Sequence, residues 1–335
     1  MNRRFPAEFE RQSFIQVIFP HKESDWVDYL DDAEKNFIEI INTVAQYQNC
    51  LVVCADLAYV RSKFSPSDKL HFIQVPTNDT WARDCSAISV YEDGEPLLLD
   101  FDFTAWGGKF EAGLDNELSR KLAPFYDAKM EKVDFILEGG ALESNGRGTL
   151  LITSECVFNP NRNSSLSREE SLELLKHSLG VSHILCLEHG YLAGDDTDSH
   201  IDTLARFTDE RTIVYLRCEE RDDEHYTELR AMEKELRSFR DQDGKPFNLV
   251  ALPFTRAVYD EGGRLPATYA NFLILNEVLL VPVYNDPNDE KALKTLAKLF
   301  PKRQIIPIEC STLIRQHGSL HCVTMQFPYG VNLKT

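Results

Sequence analysis

One feature constrains this chain most: the order strand, strand, helix, strand recurs along it. The clearest copy lies between Gly148 and Glu188. Residues 149–153 and 155–158 read as two short strands. The capping box Ser167-x-x-Glu170 announces a helix with Leu172, Leu175 and Leu179 on one face, and Gly180 stops it. Residues 181–187 return as a strand. Three further copies follow the same plan. Strands at 88–91 and 96–101 flank Glu92-Asp93-Gly94, a helix spans about 116–122, and a strand covers 133–137. Strands at 205–208 and 212–217 precede a helix over 224–240 and a strand at 247–252. Strands at 272–275 and 278–284 precede a helix bearing Leu293, Leu296 and Phe300, then a strand at 304–308.

The first unit is short of one strand. Residues 14–19 form a strand, 24–47 a helix burying Trp26, Leu30, Ala33, Phe37, Ile40 and Val44, and 51–55 and 71–75 two more strands. The β-run at 320–326 is left over. If it pairs with 14–19, five ββαβ units close into a ring without an exposed edge, a single α/β domain over 1–335.

The 335 residues include eight cysteines, none in a C-x-x-C pair, which argues against zinc ribbons and thioredoxin-like redox sites. The cysteines are expected to be thiols, seven of them serving as small buried hydrophobes. A net charge of −18 argues against a nucleic-acid partner. The charged start, MNRRFPAEFERQSF, has no apolar core of a signal peptide, and residues 278–283 are too few to span a bilayer, so a cytoplasmic protein without membrane contact is expected. The closed ring hides its own strand edges, so any homodimer must use helical or loop surfaces.

Residues hard to explain as packing fall at the junctions between units. Trp81-Ala82-Arg83-Asp84 precedes the second, Glu138-Gly139-Gly140 the third, and the run from Gly194 to Asp202, including His200, the fourth. Asn271 opens the fifth, and His321-Cys322 opens the leftover strand. A ring would gather them around one axis. Carboxylates such as Asp84 and Asp202 can accept the N–H groups of a planar guanidinium in forked pairs. The guanidinium carbon is a poor electrophile, which a thiolate at Cys322 suits. His200 could protonate departing ammonia and then activate water. No metal or cofactor is required. Each residue also has a plainer role: a core cysteine, a structural histidine, loop-capping aspartates at 195, 196 and 198, Trp81 as packing, and Glu138 paired with Arg83.

At these residues the chain resembles the agmatine deiminase family, which includes bacterial-type peptidyl-arginine deiminases. The resemblance rests on Thr77-Asn78-Asp79-Thr80-Trp81-Ala82-Arg83-Asp84, on Glu138-Gly139-Gly140 with Asn145-Gly146 and Asn159-Pro160-Asn161-Arg162-Asn163, and on the run from Gly194 to Asp202. It continues through Glu261-Gly262-Gly263-Arg264-Leu265-Pro266-Ala267 to Asn271, and Leu320-His321-Cys322-Val323-Thr324. It implies the five-bladed α/β-propeller (pentein) fold and hydrolysis of agmatine to N-carbamoylputrescine and ammonia, a step toward putrescine. It implies Cys322 as nucleophile, His200 as general acid and base, and Glu138 assisting. Asp84 and Asp202 would hold the guanidinium, with Trp81, Asn271 and Arg83 at the substrate. Two departures stand out: Arg315-Gln316-His317-Gly318-Ser319 replaces a glycine-rich run, and Cys85-Ser86-Ala87 follows Asp84 where the family has Gly-Pro. The competing readings are peptidyl- or free-arginine deimination, amidino transfer, a metal-dependent hydrolase using Asp195, Asp196, Asp198 and His200, and a non-enzymatic binding propeller.

Overall fold

The computed structural model describes residues 2–334. The apolar runs assemble into six sheets, five of them built alike. In each of the five, a leading strand lies antiparallel to a central strand, and a helical connection carries the chain to a third strand parallel to the centre. Ile88–Glu92, Glu95–Asp102 and Lys129–Ile136 form one such sheet. Ala205–Phe207, Thr212–Leu216 and Asn248–Leu252 form another, and Leu273–Ile274, Val278–Val283 and Gln304–Glu309 a third. The central strands are nearly continuous apolar runs because both their faces are covered.

The chain's two ends make the remaining sheet of this type. Thr324–Pro328 pairs antiparallel with Gln12–Ile18, with Thr324 opposite Val17. Asn49–Cys54 and Leu70–Gln74 continue it in parallel. Phe14 and Phe327 stack across the seam with ring centroids 4.5 Å apart, so the strand pairing is also an aromatic contact. Helix Leu30–Tyr47 covers this sheet with Ala33, Phe37, Ile40, Ile41 and Val44. A 3-10 turn at Val27–Tyr29 precedes it, so the helix starts later than residue 24.

Two expectations need correction, and one element was not anticipated. Residues 155–158 are not a strand: Ser154–Val157 is one helical turn, and the leading strand of that sheet is Glu143–Ser144, antiparallel to Thr149–Thr153. Four residues are too few for periodicity to separate a strand from a helical turn. The last strand starts at Thr324, which leaves His321 and Cys322 in the preceding turn. Finally, Val258–Asp260 and Gly263–Leu265 form a separate hairpin outside the repeat. The helix at Arg168–Leu179 matches its reading closely, with both arms of the capping box present and Gly180 left-handed at φ 67°. Among the described residues no helix is long and apolar enough to cross a membrane.

Candidate active site

Each sheet of the repeat receives its leading strand from a turn, and these turns carry the polar residues. Asp84 lies in the one-turn helix Ala82–Cys85 ahead of Ile88. Glu138 precedes the 3-10 turn Gly139–Ala141, and His200 and Asp202 sit at the 3-10 turn Ile201–Thr203. Asn271 immediately precedes Phe272 and the strand at Leu273, while Cys322 occupies the turn before Thr324. The turns converge. Gly140 N–H donates to Asp84 Oδ1 at 3.0 Å, and Arg83 N–H donates to the Cys322 carbonyl at 3.1 Å. Asn271 Oδ1 accepts from His321 N–H at 2.8 Å and from the Cys322 thiol at 3.4 Å.

A cavity of about 540 Å³ opens over this cluster, with Asp84 and Cys322 in its lining and Trp81, Trp106 and Gly318 among its walls. Cys322 is 5% exposed, so its sulfur is recessed but reached from the cavity. Burial, and then the carboxylates of Asp202 and Asp84, push its thiol well above the ordinary range. His200 is buried. Its Nδ1 lies 3.7 Å from Asp84 Oδ1 and its Nε2 3.7 Å from Glu138 Oε2, beyond hydrogen-bonding length. Burial pulls the imidazole pKa down, yet the Asp84 carboxylate and the Cys156 thiol outweigh it and raise it well above the usual value. Burial raises Asp84 despite His200. Burial also opposes ionisation of Asp202, but its partner His321, 2.7 Å away, wins and holds it low.

Several buried polar atoms here lack a protein partner: both ring nitrogens of His200, Asp202 Oδ1 and Asn271 Nδ2. Leaving one such atom unpaired costs about 1–3 kcal/mol, so the set is suited to an incoming polar group.

The structure brings Trp81, Asp84, Glu138, His200, Asp202, Asn271 and Cys322 to this region, but it separates Arg83. Its side chain donates to Gln326 Oε1 at 2.5 Å and to the His321 carbonyl at 3.4 Å, and it lines a different, small cavity beside Glu8. Successive helical residues point about 100° apart, so Asp84 facing the substrate cavity turns Arg83 away. Arg83 is therefore a buried cation whose side chain points away from the cavity that Asp84 lines. Nor does Glu138 pair with it: Arg162 Nε holds Glu138 at 2.9 Å. Asp195 orders its loop by accepting from Ser199 N–H at 2.7 Å, and Asp198 pairs with Arg162 at 2.6 Å.

Sequence reasoning passed over four residues. Trp106 donates its indole N–H to Asp84 Oδ2 at 3.0 Å and reaches it through left-handed backbone at Ala105 and Trp106, φ 49° and 55°. The run Trp106-Gly107-Gly108 was the available signal. His321 bridges Asp202 and Glu8 at 2.7 Å each, and Glu8 in turn binds Arg206 at 2.7 Å. Cys156 lies against Glu138 and His200, having been counted among the inert cysteines. Arg162 lies in the Asn159–Asn163 run, and nothing in that run signals that it anchors Glu138.

The replaced glycine run forms part of the mouth, and each new side chain ties it down. Arg315 pairs with Asp260 at 2.8 Å, Gln316 donates to the Asp25 carbonyl at 2.6 Å, and His317 lies 2.7 Å from the Gly194 carbonyl. Gly318 remains for a steric reason: a methyl there would overlap the six-membered ring of Trp81. Gly318→Ala is expected to raise KM about tenfold by displacing that wall, roughly 1.4 kcal/mol of binding. Steady-state kinetics together with tryptophan fluorescence checks this; unchanged KM would show that the indole does not bound the substrate.

Comparison with known proteins places this geometry. The Porphyromonas-type peptidyl-arginine deiminase profile matches residues 4–328. A crystal structure from Porphyromonas gingivalis, provisionally named an arginine deiminase, is 49% identical with a TM-score of 0.95, covering 98% of this chain and 99% of that one. A Cys-to-Ser variant of C. jejuni agmatine deiminase with substrate bound is 39% identical with a TM-score of 0.93, covering 98% and 97%. A Marinomonas protein provisionally named an agmatine deiminase is 30% identical, covering 99% of this chain and 96% of its own length. These neighbours share a mixed α/β fold of several small sheets. The chain belongs to the Porphyromonas-type peptidyl-arginine deiminase family.

Proposed function

We propose that this enzyme hydrolyses the guanidinium of agmatine, releasing ammonia and N-carbamoylputrescine. The observation that carries this choice over arginine is the charge of the cavity. Glu23, Asp25, Asp79, Glu111, Asp115 and Asp196 line it alongside Asp84, and among the described residues no lysine or arginine does. An ammonium at the far end of the substrate is attracted there, whereas an α-carboxylate is repelled. Lys109 sits nearby but is engaged by Asp198 at 2.7 Å and the Asp196 carbonyl at 2.6 Å. The C. jejuni agmatine deiminase, which holds substrate when a cysteine is replaced, supports the same reading.

The reaction follows from the residues present. Asp84 and Asp202 fix the guanidinium plane, and Trp81 and Asn271 bound it. The arriving cation lowers the Cys322 pKa, and the thiol proton leaves to solvent. The thiolate adds to the guanidinium carbon. His200, charged at rest, protonates the departing nitrogen, and ammonia leaves a covalent amidino-thioether. Neutral His200 then takes a proton from water, whose oxygen attacks the same carbon. Collapse expels the Cys322 sulfur, which takes the remaining hydroxyl proton as the thiol, and frees the urea product. Glu138, held by Arg162, faces His200 Nε2 across 3.7 Å and favours its charged form. We further propose that the five like-built sheets form a single domain, the five-bladed propeller, with this site at its axis.

Ammonia release from agmatine, free arginine and a blocked arginine peptide, run side by side, tests the proposal. Agmatine is expected to lead by roughly a hundredfold in kcat/KM, about 2.7 kcal/mol. Turnover of none of the three would overturn the deiminase reading, and a lead for either arginine substrate would overturn the choice of agmatine.

The same charge predicts a pH effect. Burial and the neighbouring Asp25 raise Asp79 to about 7, and burial raises Asp115 to about 6. Raised carboxylates are neutral below those values and charged above, so the cavity gains negative charge between pH 6 and 8. The KM for agmatine should fall about tenfold over that interval, the scale of one charge-assisted hydrogen bond. Butylguanidine, which lacks the distal ammonium, should show a clearly smaller change; equal changes would place the effect at the guanidinium instead.

A further inference from the structure

One group of side chains beside the site is only partly used by the reaction above. Glu138, Cys156 and His200 each present a ligand atom, and these atoms all lie within 4.8 Å of one another. Glu138 Oε2 is 3.7 Å from His200 Nε2 and 3.9 Å from Cys156 Sγ. In a tetrahedral zinc site, with bonds of about 2.0 Å to nitrogen or oxygen and about 2.3 Å to sulfur, neighbouring ligand atoms stand roughly 3.3–3.6 Å apart. The two spacings from Glu138 exceed that range by only a few tenths of an ångström.

A second observation is independent of the spacing. His200 is 1% exposed, and neither ring nitrogen has a hydrogen-bond partner. Coordination of Nε2 would satisfy one of them. The surrounding shell also suits an ion. Asp84 lies 3.7 Å from the opposite ring nitrogen, where a carboxylate commonly orients a metal-bound histidine. Arg162 fixes Glu138 and is itself balanced by Asp198. A thiolate and a carboxylate neutralise a divalent charge, and a sulfur–nitrogen–oxygen set favours Zn²⁺ over Mg²⁺ or Ca²⁺. Because Asp84 lines the cavity and approaches His200, the cluster lies one side chain below the floor that substrate reaches.

We propose that Glu138, Cys156 and His200 form an inhibitory site for a thiophilic divalent cation, Zn²⁺ above all. Binding replaces the Cys156 thiol proton and the Nε2 proton of His200, both released to solvent. The ion thereby removes the imidazole from acid–base work. The inhibitory consequence rests on the role given to His200 above, but binding itself does not.

Titration of the full-length enzyme with Co²⁺, followed by Zn²⁺ displacement, tests the site without an activity assay. The expected result is a near-ultraviolet thiolate-to-cobalt band at one ion per chain. That band should persist in Cys322→Ala and disappear in Cys156→Ala and in Cys156→Ser, the latter preserving the side chain's size. Competition should give Zn²⁺ binding roughly a hundredfold weaker in both Cys156 variants. A band lost in Cys322→Ala but kept in the Cys156 variants would overturn the proposal by placing the ion on the nucleophile. Absence of any stoichiometric Co²⁺ or Zn²⁺ binding to the unsubstituted enzyme would overturn it outright. Failure of deimination with binding intact would instead count against the reaction proposed above.

Discussion

Cys322→Ala is expected to lower ammonia release from agmatine by at least about 10⁴-fold, on the scale seen when a covalent nucleophile is removed, or about 5.5 kcal/mol of transition-state stabilisation. The fold should tolerate the change. The sulfur's hydrogen bond goes to Asn271 Oδ1, which keeps the backbone donors of His321 and Cys322. The carboxylates of Asp84 and Asp202, proposed above to hold the guanidinium, are untouched, so the variant should still bind agmatine, and calorimetry can measure that binding directly. Lost turnover with retained binding separates a nucleophile from a packing cysteine. Because the thiol sits well above its ordinary range, alkylation of the free enzyme should also be slow at neutral pH and accelerate as pH rises.

A loss of activity of at least about a thousandfold is expected from Gly140→Ala, although Gly140 itself takes no part in the chemistry. A methyl there would overlap His200 Nδ1 and stand 2.9 Å from Asp84 Oδ1. Both groups are buried between rigid turns and cannot swing into solvent. The backbone N–H of Gly140 would also shift away from the Asp84 oxygen it now holds at 3.0 Å. One methyl thus displaces the His200 imidazole and the Asp84 carboxylate together, and small errors of placement are expensive in catalysis. Overpacking of this kind typically lowers stability by about 1–3 kcal/mol. Urea unfolding alongside kinetics checks both parts, and a variant with near-normal kcat/KM would show that His200 and Asp84 do not work in their resting positions.

The repeat was legible because each unit offers a long apolar central strand followed by an amphipathic helix, as in 149–153 and the capped helix ending at Gly180. The leftover terminal β-run identified its own partner, since Gln12–Ile18 lacked a leading strand. The placement of Asp84, His200, Asp202 and Cys322 at unit junctions followed from the same repeat. What stayed hidden depended on direction, not position. Arg83 and Asp84 are neighbours in sequence, yet one turn of helix sends their side chains to different cavities. The segment at 155–158 misled for a related reason. Read as a strand, it makes Cys156 an ordinary core thiol, whereas one helical turn brings that sulfur against Glu138. Trp106 went unnoticed because it enters through left-handed backbone outside any periodic segment. His321, next to Cys322, gives no sign in the sequence that its two nitrogens meet Asp202 and Glu8, the latter far away in sequence.

The central claim is that the Cys322 sulfur bonds to the carbon of the substrate's guanidinium. Acid quenching during steady turnover of agmatine, followed by peptide mass spectrometry, tests it most directly. A mass increase equal to agmatine less ammonia, located on Cys322 and absent in Cys322→Ala, is the predicted result. Ammonia release that continues in Cys322→Ala, or an adduct located on another cysteine, would contradict it.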